Sequence, residues 1–194
     1  MEDLGTRLGL AERRSRIFDK IEPVRPSEFL LKQLKEAEEL PLLSEKYKSE
    51  AIVLPLLLEM RRQNNNWFTI FSGINLDVDK PLGLVGEVDF LIALDLKTLS
   101  LKSPILSLVE AKKGEIDLGI GQCVAQMYGA QLFNKARNFN VPTIYGCVTN
   151  ARDWQFLRLT EKEFEIDLDI RTIDDLPQLL GVFQHIIDYY KAIK

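Results

Sequence analysis

Two residues of opposite charge, Glu110 and Lys112, stand two positions apart at the end of the apolar segment LSLVEAKKG. Side chains of a β-strand alternate between its two faces, so residues i and i+2 share a face. If this segment is a strand, the Glu110 carboxylate and the Lys112 ammonium lie side by side. Such a pair is either a solvated ion pair, which contributes little to stability, or half of a metal-and-lysine site. Which of the two it is depends on the residues of the neighbouring strand that face Glu110 and Lys112.

A third candidate, Asp89, lies in the segment GEVDF. The segments around Asp89 and Glu110 are typical of strands, and the connection KTLSLKSP is typical of a hairpin. Pairing would bring the two carboxylates to one end of the sheet, where they repel each other unless a cation neutralises them. Carboxylate oxygens favour Mg²⁺ or Mn²⁺ over zinc, so we expect Asp89 and Glu110 to bind such an ion. Lys112 would stabilise charge on a phosphate, or help to orient and deprotonate a water molecule.

Histidine and cysteine are too scarce for several common kinds of active site. The only histidine, His185, lies in the amphipathic segment LLGVFQHIIDYYKAI, where its spacing indicates helix packing. Hydrolase triads, Cys/His pairs, two-histidine zinc sites and HNH-type nuclease sites would all depend on it. Cys123 and Cys147 lack the CxxC spacing of structural zinc sites and fit a reduced, cytoplasmic protein. We therefore expect chemistry based on carboxylates, a lysine and a metal.

The length and charge of the chain limit its class. With 194 residues, 46% of them hydrophobic, it suits one globular domain with a helical extension. A net charge of −4 is not that of a protein that coats nucleic acid, although a local basic patch is compatible with a nuclease. The N-terminus lacks the charge order of a signal peptide, and apolar runs stay below about 18 residues, so we expect no membrane span.

The pattern of apolar residues and turn residues predicts an α/β fold. Residues 1–43 are expected to form an N-terminal helical extension, with Ser27 as a helix cap. Ser44 is expected to begin a second helix, which Pro55 should bend or break. Three strands, a long helix, a buried strand, two more strands and a closing helix follow. Residues 44–194 should therefore form one domain, with a mixed central sheet flanked by helices.

This arrangement resembles the PD-(D/E)xK nuclease superfamily, whose members have a restriction-endonuclease-like fold. Asp89 matches the family aspartate, although Val88 replaces the proline that precedes it in the motif, and the EAK at residues 110–112 matches (D/E)-x-K. The expected element order matches the family's αβββαβ core. More closely, GLVGEVDF, LVEAKKGEIDLGIGQCVAQM, FN and IYGCVTNARDWQFLRL look like an uncharacterised bacterial group related to restriction subunits. The resemblance spans roughly residues 44 to 165.

The resemblance also implies supporting residues in two helices. Gln122, which shares a helix face with Gln126 and Gly129, is similar to a glutamine that supports metal, water or phosphate in several nuclease branches. A polar helix face in solvent is the alternative.

The superfamily often places a glutamate of the first core helix near the metal. Glu45, Glu50 and Glu59 are the candidates here. Glu50 ranks first, because it adjoins the apolar block and its carboxylate is expected to be drawn inward, and Glu45 ranks second. The alternative for either is an acid that interacts favourably with the helix dipole.

Together these residues predict a nuclease that depends on Mg²⁺ or Mn²⁺ and hydrolyses phosphodiester bonds, with DNA as the expected substrate. Asp89, Glu110 and Glu50 would bind the metal. Asp89 and Glu110, with Lys112 and Gln122, would form the catalytic set. The alternative is a catalytically silent nucleic-acid-binding or structural subunit of a restriction or repair assembly. A homodimer, a partner specificity subunit and RNA as the substrate stay open.

Overall fold

The computed structural model describes residues 7–41, 44–94 and 104–193. Seven strands in this part form one sheet in the order β1-β7-β6-β5-β4-β3-β2. The strands are β1 (Ala11–Ser15), β2 (Thr69–Asn75), β3 (Glu87–Ala93), β4 (Ile105–Ala111), β5 (Thr143–Thr149), β6 (Asp153–Thr160) and β7 (Glu163–Thr172). The helices are α1 (Glu28–Glu38), α2 (Glu45–Lys48, a π-helical segment Ser49–Val53, and Leu54–Gln63), α3 (Asp117–Ala136) and α4 (Leu176–Ala192), with a 3₁₀ turn at Ile173–Asp175.

The sheet is mixed, which confirms the predicted α/β class with a mixed central sheet. Strands β2, β3 and β4 are antiparallel neighbours, as are β5, β6 and β7. Strands β4 and β5 are parallel, and α3 is the crossover helix that a parallel pair requires. The observed order α2-β2-β3-β4-α3-β5 is the one that the sequence predicts. The hairpin connection expected between β3 and β4 lies at residues 97–104, most of which are outside the described residues.

The N-terminal segment differs from the expected helical extension. The helix is present at Glu28–Glu38, where the Ser27 hydroxyl accepts a hydrogen bond from Leu30 N as predicted. Ala11–Ser15, however, forms edge strand β1, which pairs in parallel with β7. The segment AERRS is charged and almost fully exposed, so it has no apolar alternation to reveal a strand. Charged residues on an edge strand discourage pairing with other chains, which explains this composition.

Pro55 shapes α2 without ending it. The helix starts after Ser44, whose hydroxyl accepts a hydrogen bond from Tyr47 N, and it continues beyond the proline to Gln63. A π-helical segment, Ser49–Val53, lies one residue before Pro55, with a backbone hydrogen bond from Leu54 N to Ser49 O. Proline cannot donate and clashes with the carbonyl four residues earlier, so a local widening of the helix accommodates it.

Helices cover both faces of the sheet. Neighbouring residues of β5 show this, because Tyr145 forms edge-to-face contacts with Tyr189 and Tyr190 of α4. Gly146, on the opposite face, packs so closely on α3 that an added Cβ would lie 2.8 Å from Cys123 Sγ. Glu110 pairs with Val148, which shares the face of Gly146, so Glu110 lies on the α3 face of the sheet. Within the described ranges, no helix has the length and apolar character needed to cross a membrane.

Candidate active site

Strands β3 and β4 bring Asp89 and Glu110 together at one end of the sheet. Phe90 pairs with Val109, so Asp89 and Glu110 follow as the next opposed positions on the α3 face. The Ala111 amide donates a hydrogen bond of 2.8 Å to Asp89 Oδ2, which holds the aspartate against the end of β4. The Asp89 side chain is half-buried, whereas Glu110 is only 2% exposed. A buried glutamate beside another acid needs compensating positive charge.

Lys112 provides part of that charge. Its Nζ donates to Glu110 Oε1 at 2.6 Å and to Gln122 Oε1 at 3.1 Å. The Lys112 backbone amide also donates to Thr149 O at 2.7 Å, which ties the end of β4 to β5. The ammonium group therefore lies between the buried carboxylate and the exposed amide of Gln122 in the first turns of α3. The structure brings together Asp89 and the three other residues of the predicted catalytic set.

Gly119 lets the start of α3 approach Lys112. A Cβ at this position would lie 2.6 Å from Val148 Cγ1 and 3.0 Å from both Cγ and Cε of Lys112. The first distance is too short for any real contact, so only glycine fits without a shift of the helix or of its neighbours. The helix thus packs directly on the aliphatic stem of the lysine and restricts where its ammonium group lies.

Gln126 is a site residue that the sequence analysis did not assign. Its Nε2 donates to Glu110 Oε2 at 3.0 Å and to Glu87 O at 3.2 Å. Both oxygens of Glu110 are thus engaged, one by Lys112 and the other by Gln126. The spacing from Gln122 was the available signal, because residues four apart on a helix share a face.

The three candidate glutamates of α2 lie in three different environments. Glu45 is the one beside the cluster, where its Oε2 accepts a hydrogen bond from Lys113 N at 2.9 Å. Glu50, ranked first from the sequence, is exposed and lies 3.9 Å from Lys46 Nζ. The structure therefore does not bring Glu50 to the predicted metal ligands.

Glu59 belongs to a separate structural cluster between α1 and α2. Its carboxylate is 1% exposed and accepts hydrogen bonds from Ser27 N and Oγ, Arg62 Nη2 and Gln63 Nε2. A carboxylate with four donors is fully occupied. Glu59 therefore links α1 to α2 and is not available as a metal ligand.

The electrostatics of the cluster show an excess of negative charge. Burial raises the pKa of Asp89, and the nearby charges of Glu45 and Glu87 raise it further. Burial and the charge of Asp89 likewise raise the pKa of Glu110, despite its hydrogen bond with Lys112. Burial alone would lower the pKa of Lys112, but its hydrogen bond to Glu110 and the three surrounding carboxylates raise it. The lysine therefore stays protonated, and the acids still lack positive charge.

The donor atoms of the cluster suit a hard divalent cation. In the described ranges, no group of three or more His, Cys, Asp or Glu side chains is arranged to hold a metal ion. Mg²⁺ does not require such a group, because it commonly uses one or two carboxylates and completes its shell with water and substrate phosphates. Asp89 and Glu110 offer oxygen ligands, and burial, with the nearby carboxylates as a smaller cause, raises the pKa of each. This donor chemistry fits Mg²⁺ or Mn²⁺.

The fold and the cluster define an α/β protein with an acid-and-lysine site at the end of a mixed sheet. Comparison of the chain with protein-family models, with curated proteins and with solved structures finds no match. The resemblance to PD-(D/E)xK nucleases therefore stays a prediction based on the residues themselves.

Proposed function

We propose that the chain is a nuclease that uses Mg²⁺ or Mn²⁺ to hydrolyse phosphodiester bonds, with DNA as the first substrate class to test. The observation that carries this proposal is the shared environment of Asp89, Glu110 and Lys112. Two acids with raised pKa values lie beside a lysine that stays charged, at a sheet end that is open to solvent at Gln122. Perturbed acids and bases that converge in this way are typical of catalytic sites.

In this mechanism Asp89 and Glu110 hold the divalent ion. A bound ion would act as a Lewis acid toward a phosphate oxygen and balance the charge of the two carboxylates. The hydrogen bond from Ala111 N fixes one oxygen of Asp89, and the hydrogen bond from Gln126 fixes one oxygen of Glu110. These contacts orient the carboxylates before any ligand binds, which reduces the reorganisation needed during the reaction.

Lys112 acts as a positive charge rather than as a base. Its raised pKa keeps the ammonium group protonated near neutral pH, so it is poorly suited to accept a proton from water. A protonated lysine beside the carboxylates can instead donate to a phosphate oxygen as negative charge develops there. Gln122 accepts from the same ammonium group and so restricts its orientation. Of the two roles considered for Lys112, the structure favours charge stabilisation.

The order of elements supports a restriction-endonuclease-like core as part of the same proposal. The acids come from the second and third strands of the α2-β2-β3-β4-α3-β5 series, and the glutamine comes from the helix that follows. We also propose a cytoplasmic location, with which the free thiols of Cys123 and Cys147 are compatible.

Cleavage assays test this function directly. Single- and double-stranded DNA and RNA are incubated with the protein in Mg²⁺, in Mn²⁺ and in EDTA. We expect cleavage with either ion, none in EDTA, and loss of cleavage in Asp89→Asn, which keeps the side-chain size but removes the charge. Cleavage that persists in EDTA or in Asp89→Asn would contradict the proposal, because contaminating nuclease or another site would then be responsible.

A catalytically silent nucleic-acid-binding subunit is the second candidate. It is favoured by the close ion pair of Lys112 with Glu110, which partly balances the site without a metal. This candidate predicts that the protein shifts the mobility of nucleic acid with or without divalent ions and never cleaves it. A partner subunit would then supply the activity.

A further inference from the structure

A small cavity adjoins the cluster on the side of the loop that precedes β3. Its volume is about 240 Å³. One wall is the loop at residues 83–86, which contributes Leu84 and Val85. The opposite wall is one face of α3, formed by Gln122, Ala125 and Gln126. The cavity is therefore a slot between a loop and a helix, beside the proposed site of cleavage.

Two residues belong both to the cavity and to the cluster. Gln122 lines the cavity and accepts from Lys112 Nζ. Gln126 lines the cavity and donates to Glu110 Oε2. A group bound in the cavity would consequently lie within one side-chain length of the residues proposed to hold the metal and the phosphate.

The chemistry of the walls favours an uncharged ligand with polar edges. Among the described residues that line the cavity, only Glu87 carries a charge, and it is an acid, so a phosphate would be repelled. The two glutamine amides supply both donors and acceptors, while Leu84, Val85 and Ala125 supply apolar surface. Gln126 Oε1 is buried and has no hydrogen-bond partner within the part of the chain described, so a donor on the ligand would satisfy it.

We propose that this cavity binds one nucleobase of the substrate strand, next to the phosphate that is cleaved. Nucleobases combine apolar faces with donor and acceptor edges, and glutamine amides can pair with such edges. In a duplex a base is stacked and paired, so it can enter the cavity only if it is unpaired or turned out of the helix, at a cost of a few kcal/mol. The inference deepens the proposed nuclease function and commits it to single-stranded, frayed or mismatched nucleic acid.

The test measures binding of short fluorescent single-stranded DNA in the Asp89→Asn background, where no cleavage is expected. Strands that carry one abasic site, moved along the sequence, are compared with the intact strand and with its duplex. The cavity is filled by Ala125→Leu. The matched control is Ala136→Leu, the same change at an exposed position of α3. If Ala125→Leu does not fold, Gly129→Ala replaces it, because its added Cβ would meet only Val78 and Leu76 at 3.8 and 3.9 Å.

We expect an abasic site at one position to weaken binding about tenfold, and the duplex to bind more weakly than the single strand. Ala125→Leu should reduce the intact strand to the affinity of the abasic one, while Ala136→Leu should not. Equal binding of intact and abasic strands by every variant would overturn the proposal.

The cavity and the nuclease function can fail separately. Cleavage of intact and abasic strands at equal rates, with Mg²⁺ required for both, would leave the nuclease standing and remove the cavity's role. Base-dependent binding without any metal-dependent cleavage would support the cavity as a base-binding site and contradict the nuclease function. A Mg²⁺ titration of Ala125→Leu that matches that of the unchanged protein shows that the substitution leaves the cluster intact.

Discussion

Glu59 and Glu110 are two glutamates with equally little side-chain exposure, but their pKa values shift in opposite directions. Each side chain is about 2% exposed. Burial alone would raise the pKa of Glu59, but hydrogen bonds from Gln63, Arg62 and Ser27 lower it below its ordinary value. Among the described residues, Glu110 accepts hydrogen bonds from Lys112 and Gln126 only. Burial raises its pKa, and the charge of Asp89 opposite raises it further. Low exposure of the side chain thus does not by itself set the direction in which a carboxyl pKa shifts.

The two pKa shifts differ in sign because neighbouring donors fully compensate the negative charge of Glu59 but not that of Glu110. Glu59 receives its donors from the residue that caps α1 and from the end of α2, so it joins two helices and needs nothing more. Glu110 shares one lysine with Asp89 and Glu45, so the cluster lacks positive charge. A folded protein tolerates such a deficit where a cation or a substrate completes the site.

Lys112→Ala should lower the rate of metal-dependent cleavage by a factor of about 10² to 10³, the usual cost of removing one charge-stabilising donor. Metal affinity should change little, because the ligands Asp89 and Glu110 remain. The control is Lys113→Ala, which removes an exposed lysine next in sequence and keeps the backbone amide that bonds Glu45. Single-turnover cleavage separates the two variants, and equal rates for them would show that Lys112 is only a surface charge.

Glu59→Gln should destabilise the fold by about 2 kcal/mol, because it replaces an acceptor of four hydrogen bonds with a group that also donates. Asp89→Asn, which also removes one charge, should leave the metal-free stability unchanged or raise it by relieving repulsion with Glu110. Urea unfolding of both variants measures the two effects. A larger loss in Asp89→Asn than in Glu59→Gln would reverse the assignment of structural and reactive acids.

Gly119→Ala should cost about 1 to 2 kcal/mol, because its Cβ would lie 2.6 Å from Val148 Cγ1 and would press on Lys112. Gly129→Ala is the control on the same helix, where the added Cβ meets only ordinary contacts and helix propensity improves. Thermal unfolding compares the stability of the two variants, and cleavage at saturating substrate by Gly119→Ala alone reports the position of Lys112. If both variants unfold at the same temperature, α3 does not pack on the lysine as described.

The pH dependence of stability should differ in sign between the two clusters. A carboxyl with a raised pKa stabilises the fold at low pH, and this contribution is lost as the pH rises through the folded-state pKa. The stability of the unchanged protein relative to Asp89→Asn should therefore fall as the pH rises from about 4, the ordinary carboxyl value. The stability of the unchanged protein relative to Glu59→Gln should instead fall as the pH decreases below about 4, because the pKa of Glu59 is lowered in the folded state. Urea midpoints across this range provide the measurement, and parallel curves would contradict both assignments.

The sequence predicted the elements that have strong local signals. Hydroxyl caps at Ser27 and Ser44, the apolar strands β4 and β5 and the long helix α3 appear where the patterns indicate. The convergence of Asp89, Glu110 and Lys112 was also predictable, because strand alternation and the antiparallel pairing of β3 with β4 fix it.

Other features depend on tertiary packing, and local sequence patterns were not sufficient to predict them. Strand β1 exists through its pairing with β7, and its charged residues show no strand periodicity. The orientation of α2, with its π-helical segment, decides that Glu45 rather than Glu50 faces the cluster, and hydrophobic neighbours in sequence gave the opposite ranking. The role of Gln126 depends on how closely α3 approaches β4, which in turn depends on Gly119 and Gly146.

The proposed nuclease function requires the cluster of Asp89 and Glu110 to bind a divalent cation. Calorimetric titration with Mg²⁺ and Mn²⁺, with and without a non-cleavable nucleic acid, tests it on the unchanged protein, Asp89→Asn and Lys112→Ala. We predict binding by the unchanged protein and by Lys112→Ala, and a loss of at least about tenfold in affinity for Asp89→Asn. If the unchanged protein binds no divalent ion under either condition, or if Asp89→Asn binds the ion as tightly, Asp89 and Glu110 do not form a metal site.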